Sequence, residues 1–140
     1  MILEFNNETE EKISQKIFED LLTRLPQVIP DISEKTVELL LTTDAHIQKL
    51  NKEFRGKDKA TDVLSFSDRE TSMPSENLGQ IIISVDRAHD QAKELSQSLE
   101  EELRFLFTHG LLHILDYDHE EPEDEKLMLE KAYKLLGRTA

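Results

Sequence analysis

Apolar residues along this chain change rhythm several times, and each rhythm predicts an element. Ile2 to Phe5 fits a short first strand, and Asn7 with Glu10 has the spacing of a helix-capping pair. Ile13, Ile17, Leu21 and Leu25 recur every four residues and predict an amphipathic helix, with Pro26 and Pro30 behind it. Val37 to Leu41 is β-branched and Leu-rich and reads as a strand. Asp44 is placed to cap a helix carrying Ile47, Leu50 and Phe54, which Gly56 ends. Val63 to Phe66 and Ile81 to Val85 predict two more strands. The polar loop between them, Ser67 to Leu78, carries no obvious helix, so the two are expected to pair antiparallel. Asp86 is a candidate cap for a helix with Ala88, Ala92 and Leu95 on one side, and Ser98 with Glu101 forms a capping box opening a second helix at about Leu99. A last helix is predicted from Pro122 to Gly137, with Met128, Ala132 and Leu135 as its core stripe. Strands alternate with helices at first and helices alone follow. That order predicts a single α+β domain over residues 1–140, a small mixed sheet of about four strands packed with about five helices.

Composition narrows the setting. With 140 residues, 37% apolar and 34% charged, and a mean hydropathy of −0.54, the chain is expected to be one soluble domain. Its longest apolar runs are far too short to span a bilayer, and Met1 to Glu8 lacks the basic start and apolar stretch of a signal peptide. A cytoplasmic location without membrane attachment follows as an expectation. There is no cysteine, so histidine and carboxylate are the available metal ligands. A net charge of −13 argues by itself against binding a polyanion, DNA included. The charge is uneven, however. Lys49, Lys52, Arg55, Lys57 and Lys59 are opposed locally only by Glu53 and Asp58. On spacing alone this stretch is either a solvated, charge-mixed helix end or a phosphate-contacting rim.

The candidate chemistry lies in the helix from Leu99. Leu103, Phe105, Leu106, Phe107, Leu111, Leu112 and Ile114 surround its axis, as in a buried helix. His109 and His113 fall on one face of it, one turn apart. Buried imidazoles need partners, and a shared ion satisfies both. Asp116 and Tyr117 follow where the chain must turn, and a turn there swings His119 back toward the other two. Three imidazoles with a fourth position open to water is the arrangement of a catalytic zinc site, and imidazole also suits copper, iron and nickel. Random placement of five histidines gives this four-then-six spacing in roughly 0.3% of cases. The same spacing occurs in zinc proteases of the HExxHxxGxxH type, but there a Glu follows the first His, whereas Gly110 stands here and cannot move a proton. Gly110 is expected instead to allow close packing. His46 and His89 read as ordinary.

The run His109-Gly110-Leu111-Leu112-His113-Ile114-Leu115-Asp116-Tyr117-Asp118-His119 resembles the HGxLHLxGYDH signature of the YbeY family, bacterial rRNA maturation factors classed as metal-dependent endoribonucleases. Leu50-Asn51-Lys52-Glu53-Phe54-Arg55 leading to Thr61-Asp62-Val63-Leu64-Ser65-Phe66 is similar to the family's "LN..YR…TDVLSF" segment. Leu78-Gly79-Gln80-Ile81 corresponds to its "LGDI", and Met128 and Glu130 also match. Two positions depart from the pattern: Asp116 stands where the family usually has Gly, and Gln80 where it usually has Asp, so Gln80 is not counted as a site residue.

The resemblance implies one zinc ion, or another imidazole-compatible divalent ion, on His109, His113 and His119. It implies catalytic roles for His113 and for Arg55, near the metal. It shifts the basic stretch toward phosphate contact by Lys52, Arg55, Lys57 and Lys59. Asp118 is expected either to orient a ligand histidine or to cap the turn. The implied substrate is single-stranded rRNA or its precursor, with 16S rRNA 3′-end maturation and ribosome quality control as the process. The implied partners are the small ribosomal subunit and assembly proteins. Two alternatives stay open on the sequence: a zinc-dependent hydrolase of a non-RNA substrate, and a non-catalytic ribosome-assembly binding protein with a structural metal.

Overall fold

The computed structural model describes residues 1–30, 32, 34–67, 77–115 and 122–137. Four strands form one mixed sheet: β1 (Ile2–Asn7), β2 (Thr36–Thr42), β3 (Val63–Ser67) and β4 (Asn77–Ser84), in the order β1-β2-β4-β3. β1 and β2 are parallel, β2 and β4 are parallel, and β3 runs antiparallel to β4, as the short loop between them predicted. Five helices lie among the described residues: α1 (Lys16–Val28), α2 (Asp44–Arg55), α3 (Val85–Glu94), α4 (Leu99–Ile114) and α5 (Pro122–Leu136). The α+β arrangement is the expected one.

The strand pattern explains the layering. In β2, Val37, Leu39 and Leu41 are buried on one face while Glu38 and Leu40 point to the other. Central β4 reads Ile81-Ile82-Ile83 because both of its faces are covered. The main core joins Val37, Leu39, Leu41, Ile81 and Ile83 to Phe18 and Leu21 of α1 and to Leu103, Phe107 and Leu111 of α4. Phe18 meets Phe107 edge-on with centroids 5.2 Å apart. On the opposite face, Ile47 of α2 packs with Leu64, Phe66 and Ile82. α5 covers α4 from outside through Met128 and Ala132 against Leu112.

Several local expectations fail for identifiable reasons. Asn7 does not cap α1. Its Oδ1 accepts from Thr9 N at 2.9 Å and from Thr9 Oγ1 at 2.7 Å, closing an Asx turn after β1. α1 starts later, at Lys16, with no side-chain cap at Gln15, and it runs through Pro26 rather than ending before it. The proline ring has no N–H to donate to the Leu22 carbonyl one turn back, yet the helix continues for two more residues to Val28. The caps of α2 and α3 are Thr43 and Ser84, one residue before the expected Asp44 and two before the expected Asp86, and Val85 belongs to α3 rather than β4. Leu95 is 64% exposed because α3 stops at Glu94 and Ser96 turns the chain at φ 54. The Ser98 and Glu101 capping box is present in both directions. No described helix is long and apolar enough to cross a membrane.

Candidate metal centre and nuclease site

α4 is the axis of the site. Its burial is nearly complete from Leu103 to Ile114, and only Arg104, Phe105, His109 and His113 keep partial exposure. The last three are four residues apart and so form one stripe along the helix. The rings of His109 and His113 approach to 4.8 Å between centroids at 73°, and Phe105 lies near-parallel to His109 at 6.3 Å and 29°. The expected imidazole pair is therefore brought together. Gly110, between them, faces the sheet. A Cβ there would lie 3.0 Å from Ile81 Cγ2 and 3.5 Å from Val63 Cγ2, so the glycine lets α4 sit close on β4 and β3. Gly79 does the same from the sheet side, since a Cβ on it would collide with the Phe66 carbonyl and crowd Ile114.

Arg55 ends α2, on the other face of the sheet. Its guanidinium reaches the free edge of β3, where Nη2 donates to the Ser65 carbonyl at 2.9 Å and the group lies 4.6 Å over the Phe66 ring. Phe54 braces that ring edge-on at 5.7 Å. β3 thus touches both halves of the site: Val63 against Gly110, and Ser65 with Phe66 under Arg55. The basic stretch is shaped by Asn51, which is 3% exposed and donates from Nδ2 to the Lys59 carbonyl at 2.9 Å. Gly56, at φ 70, turns the chain out of α2. Lys52, Lys57 and Lys59 are exposed, with Lys52 3.8 Å from Asp58.

His119 and Asp118 lie outside the described residues, as do Asp116 and Tyr117 and most of the loop from Ser67 to Leu78. Among the described residues no three His, Cys, Asp or Glu side chains gather as a metal cluster. His46 and His89 have surface partners, Glu8 at 3.2 Å and Glu11 at 3.1 Å, in keeping with their ordinary reading. Gln80 stands in register between Glu38 and Phe66. Phe105 was read in the sequence only as an apolar residue of the buried helix, and Glu125 went unread. They line a cavity of about 250 Å³ with His109, Met128, Leu129 and Ala132. The signal for Phe105 was its four-residue step ahead of His109; nothing in the sequence singled out Glu125 within its acidic first turn.

The histidine pair fits a divalent ion. Two imidazoles one turn apart on a rigid helix are a recurrent zinc platform, and both are partly open to solvent.

Comparison with known proteins identifies the family. A family model for endoribonuclease YbeY matches residues 3–140. An endoribonuclease YbeY from Lysinibacillus sphaericus is 42% identical over 147 residues, covering 97% of this chain and 94% of that protein. One from Nautilia profundicola is 43% identical over 124 residues, covering 89% and 83%. A Thermotoga maritima protein solved in solution superposes with a TM-score of 0.64 at 27% identity, covering 97% of this chain and 90% of that one. With the paired histidines of α4 and the arginine at the β3 edge in place, the chain belongs to the endoribonuclease YbeY family.

Proposed function

We propose that this protein is a metal-dependent endoribonuclease that cuts single-stranded RNA, acting in the cytoplasm on rRNA precursors at the 3′ end of 16S rRNA and in ribosome quality control. The observation that carries the metal dependence is the His109 and His113 pair, with rings 4.8 Å apart on a buried helix. His119 completes the proposed ligand set for one zinc ion, and Asp118 is proposed to orient a ligand histidine. When bound, such an ion supplies a Lewis acid that activates water or polarises a phosphoryl oxygen. The chain's own residues do the rest. Arg55 presents a planar, permanently charged fork suited to two phosphate oxygens, and the Ser65 carbonyl and Phe66 ring limit where that fork can point. Lys57 and Lys59 add positive charge beside it, with Lys52 weakened by its neighbour Asp58. Gly110 holds the imidazoles at a fixed depth against the sheet but contributes no proton-transfer group. Small-subunit and assembly proteins are the proposed partners, compensating for a net charge of −13 that weakens unaided RNA binding.

The test is elemental analysis of the purified protein beside a variant with all three histidines replaced by alanine, followed by RNA cleavage with both. One zinc per chain and metal-dependent cleavage, both lost in the variant, are expected. Cleavage that persists without the histidines overturns the proposal. A 5′-phosphate on the products identifies water as nucleophile, and a 2′,3′-cyclic phosphate identifies the ribose hydroxyl.

A further inference from the structure

The slot between α4 and α5 has the form of a ring-binding site. Phe105 and His109 make an aromatic strip along one wall, near-parallel at 29°. Met128, 3% exposed, and Ala132 form the opposite wall, and Leu129 sits at the rim. One carboxylate lines it, that of Glu125. Among the described residues Glu125 makes no ion pair or hydrogen bond, so its acceptors are available. Glu123 and Asp124 share its helical turn, and three carboxylates there repel a phosphate. The slot therefore suits the uncharged, planar part of a nucleotide. Unstacked RNA bases are held in this way, between aromatic side chains and with hydrogen bonds on their edges.

Resting on the endoribonuclease reading, we propose that this slot seats one base of the RNA, adjacent to the cleaved phosphate, and that Glu125 selects guanine there. His109 is both a wall of the slot and half of the imidazole pair, so a seated base places a phosphate of its own nucleotide or the next one near that pair. An ionised carboxylate only accepts hydrogen bonds. Guanine offers it two parallel donors, N1–H and the 2-amino group. Adenine and cytosine offer one amino group beside a ring nitrogen acceptor, and uracil offers one N–H flanked by two carbonyl oxygens. Affinity should fall in that order.

Fluorescence anisotropy with 2′-O-methyl oligouridylates carrying a single central G, A, C or U, checked by gel electrophoresis to stay intact throughout, tests the assignment on the purified protein. The guanine oligonucleotide is expected to bind about tenfold more tightly than the all-uridine one. Glu125→Gln, whose amide can donate as well as accept, should bring the four to within about twofold. Phe105→Leu should weaken all four by about tenfold while keeping their order. Zinc content should be unchanged in both variants. Equal affinities for the four oligonucleotides, or a guanine preference that survives Glu125→Gln, overturns the proposal. A cleavage assay on the matching 2′-hydroxyl RNA separates the two readings. Cleavage without base preference in binding sinks the slot alone, whereas guanine-selective binding without cleavage sinks the nuclease reading alone.

Discussion

Arg55 is held by two unlike contacts, a hydrogen bond to the Ser65 carbonyl and the face of Phe66, and both depend on a planar guanidinium. Arg55→Lys keeps the charge and loses the planar fork that makes both at once. It is expected to lower kcat/KM for RNA cleavage by about 100-fold, the cost of removing one aimed donor at a developing charge. Because Arg55 is exposed, thermal unfolding of the same variant should move by only a few degrees, about 1 kcal/mol or less. Thr108 is the reverse case, a residue of structure rather than chemistry. It is fully buried next to His109, and its hydroxyl has no hydrogen-bond partner among the described residues. Thr108→Val removes that unpaired group at nearly constant shape and should stabilise the fold by about 1 kcal/mol, read as a higher midpoint in urea. An unchanged or lowered midpoint would mean the hydroxyl is satisfied after all.

At the scale of elements, α4 depends on its first turn. Ser98 accepts from the Glu101 amide and Glu101 from the Ser98 amide, each at 3.1 Å. Ser98→Ala is expected to cost about 1 kcal/mol and roughly 3 °C in midpoint by calorimetry, with zinc content intact. This start was legible because a capping box is a local signal. α5 was equally legible from Pro122 to Gly137. The start of α1 was not: Asn7 and Glu10 have capping spacing, but Asn7 spends its side chain on Thr9 and on the Glu11 carbonyl, tying down the turn after β1. Pro26 misled in the other direction, since a proline commonly marks a helix boundary but α1 runs on past it to Val28. The histidine stripe was readable because i, i+4 spacing fixes a face whatever surrounds it. The Arg55 anchorage was not, because it runs between α2 and the edge of a strand ten residues further on, and spacing carries no information about that contact.

For the whole molecule, charge is distributed against function. A protein carrying −13 must meet RNA through a small cationic area. If Lys52, Arg55, Lys57 and Lys59 are that area, the logarithm of affinity for single-stranded RNA should fall with the logarithm of salt with a slope of about −3. Reversing Lys57 and Lys59 to glutamate should flatten the slope by about 1.4 while leaving thermal stability nearly unchanged, because both side chains are exposed. A slope well beyond −3 would place further phosphate contacts elsewhere on the surface.

The contact of Gly110 with Ile81 and Val63 also bears on how such sequences can drift. Those three positions share one fixed allowance of space. A natural homologue that gains a methyl group at the first should change residue 81, whose Cγ2 it would press at 3.0 Å, before residue 63, whose Cγ2 it would meet at an ordinary 3.5 Å. Substitution at these sites would then proceed in pairs, an evolutionary trace of two packed layers with no slack between them.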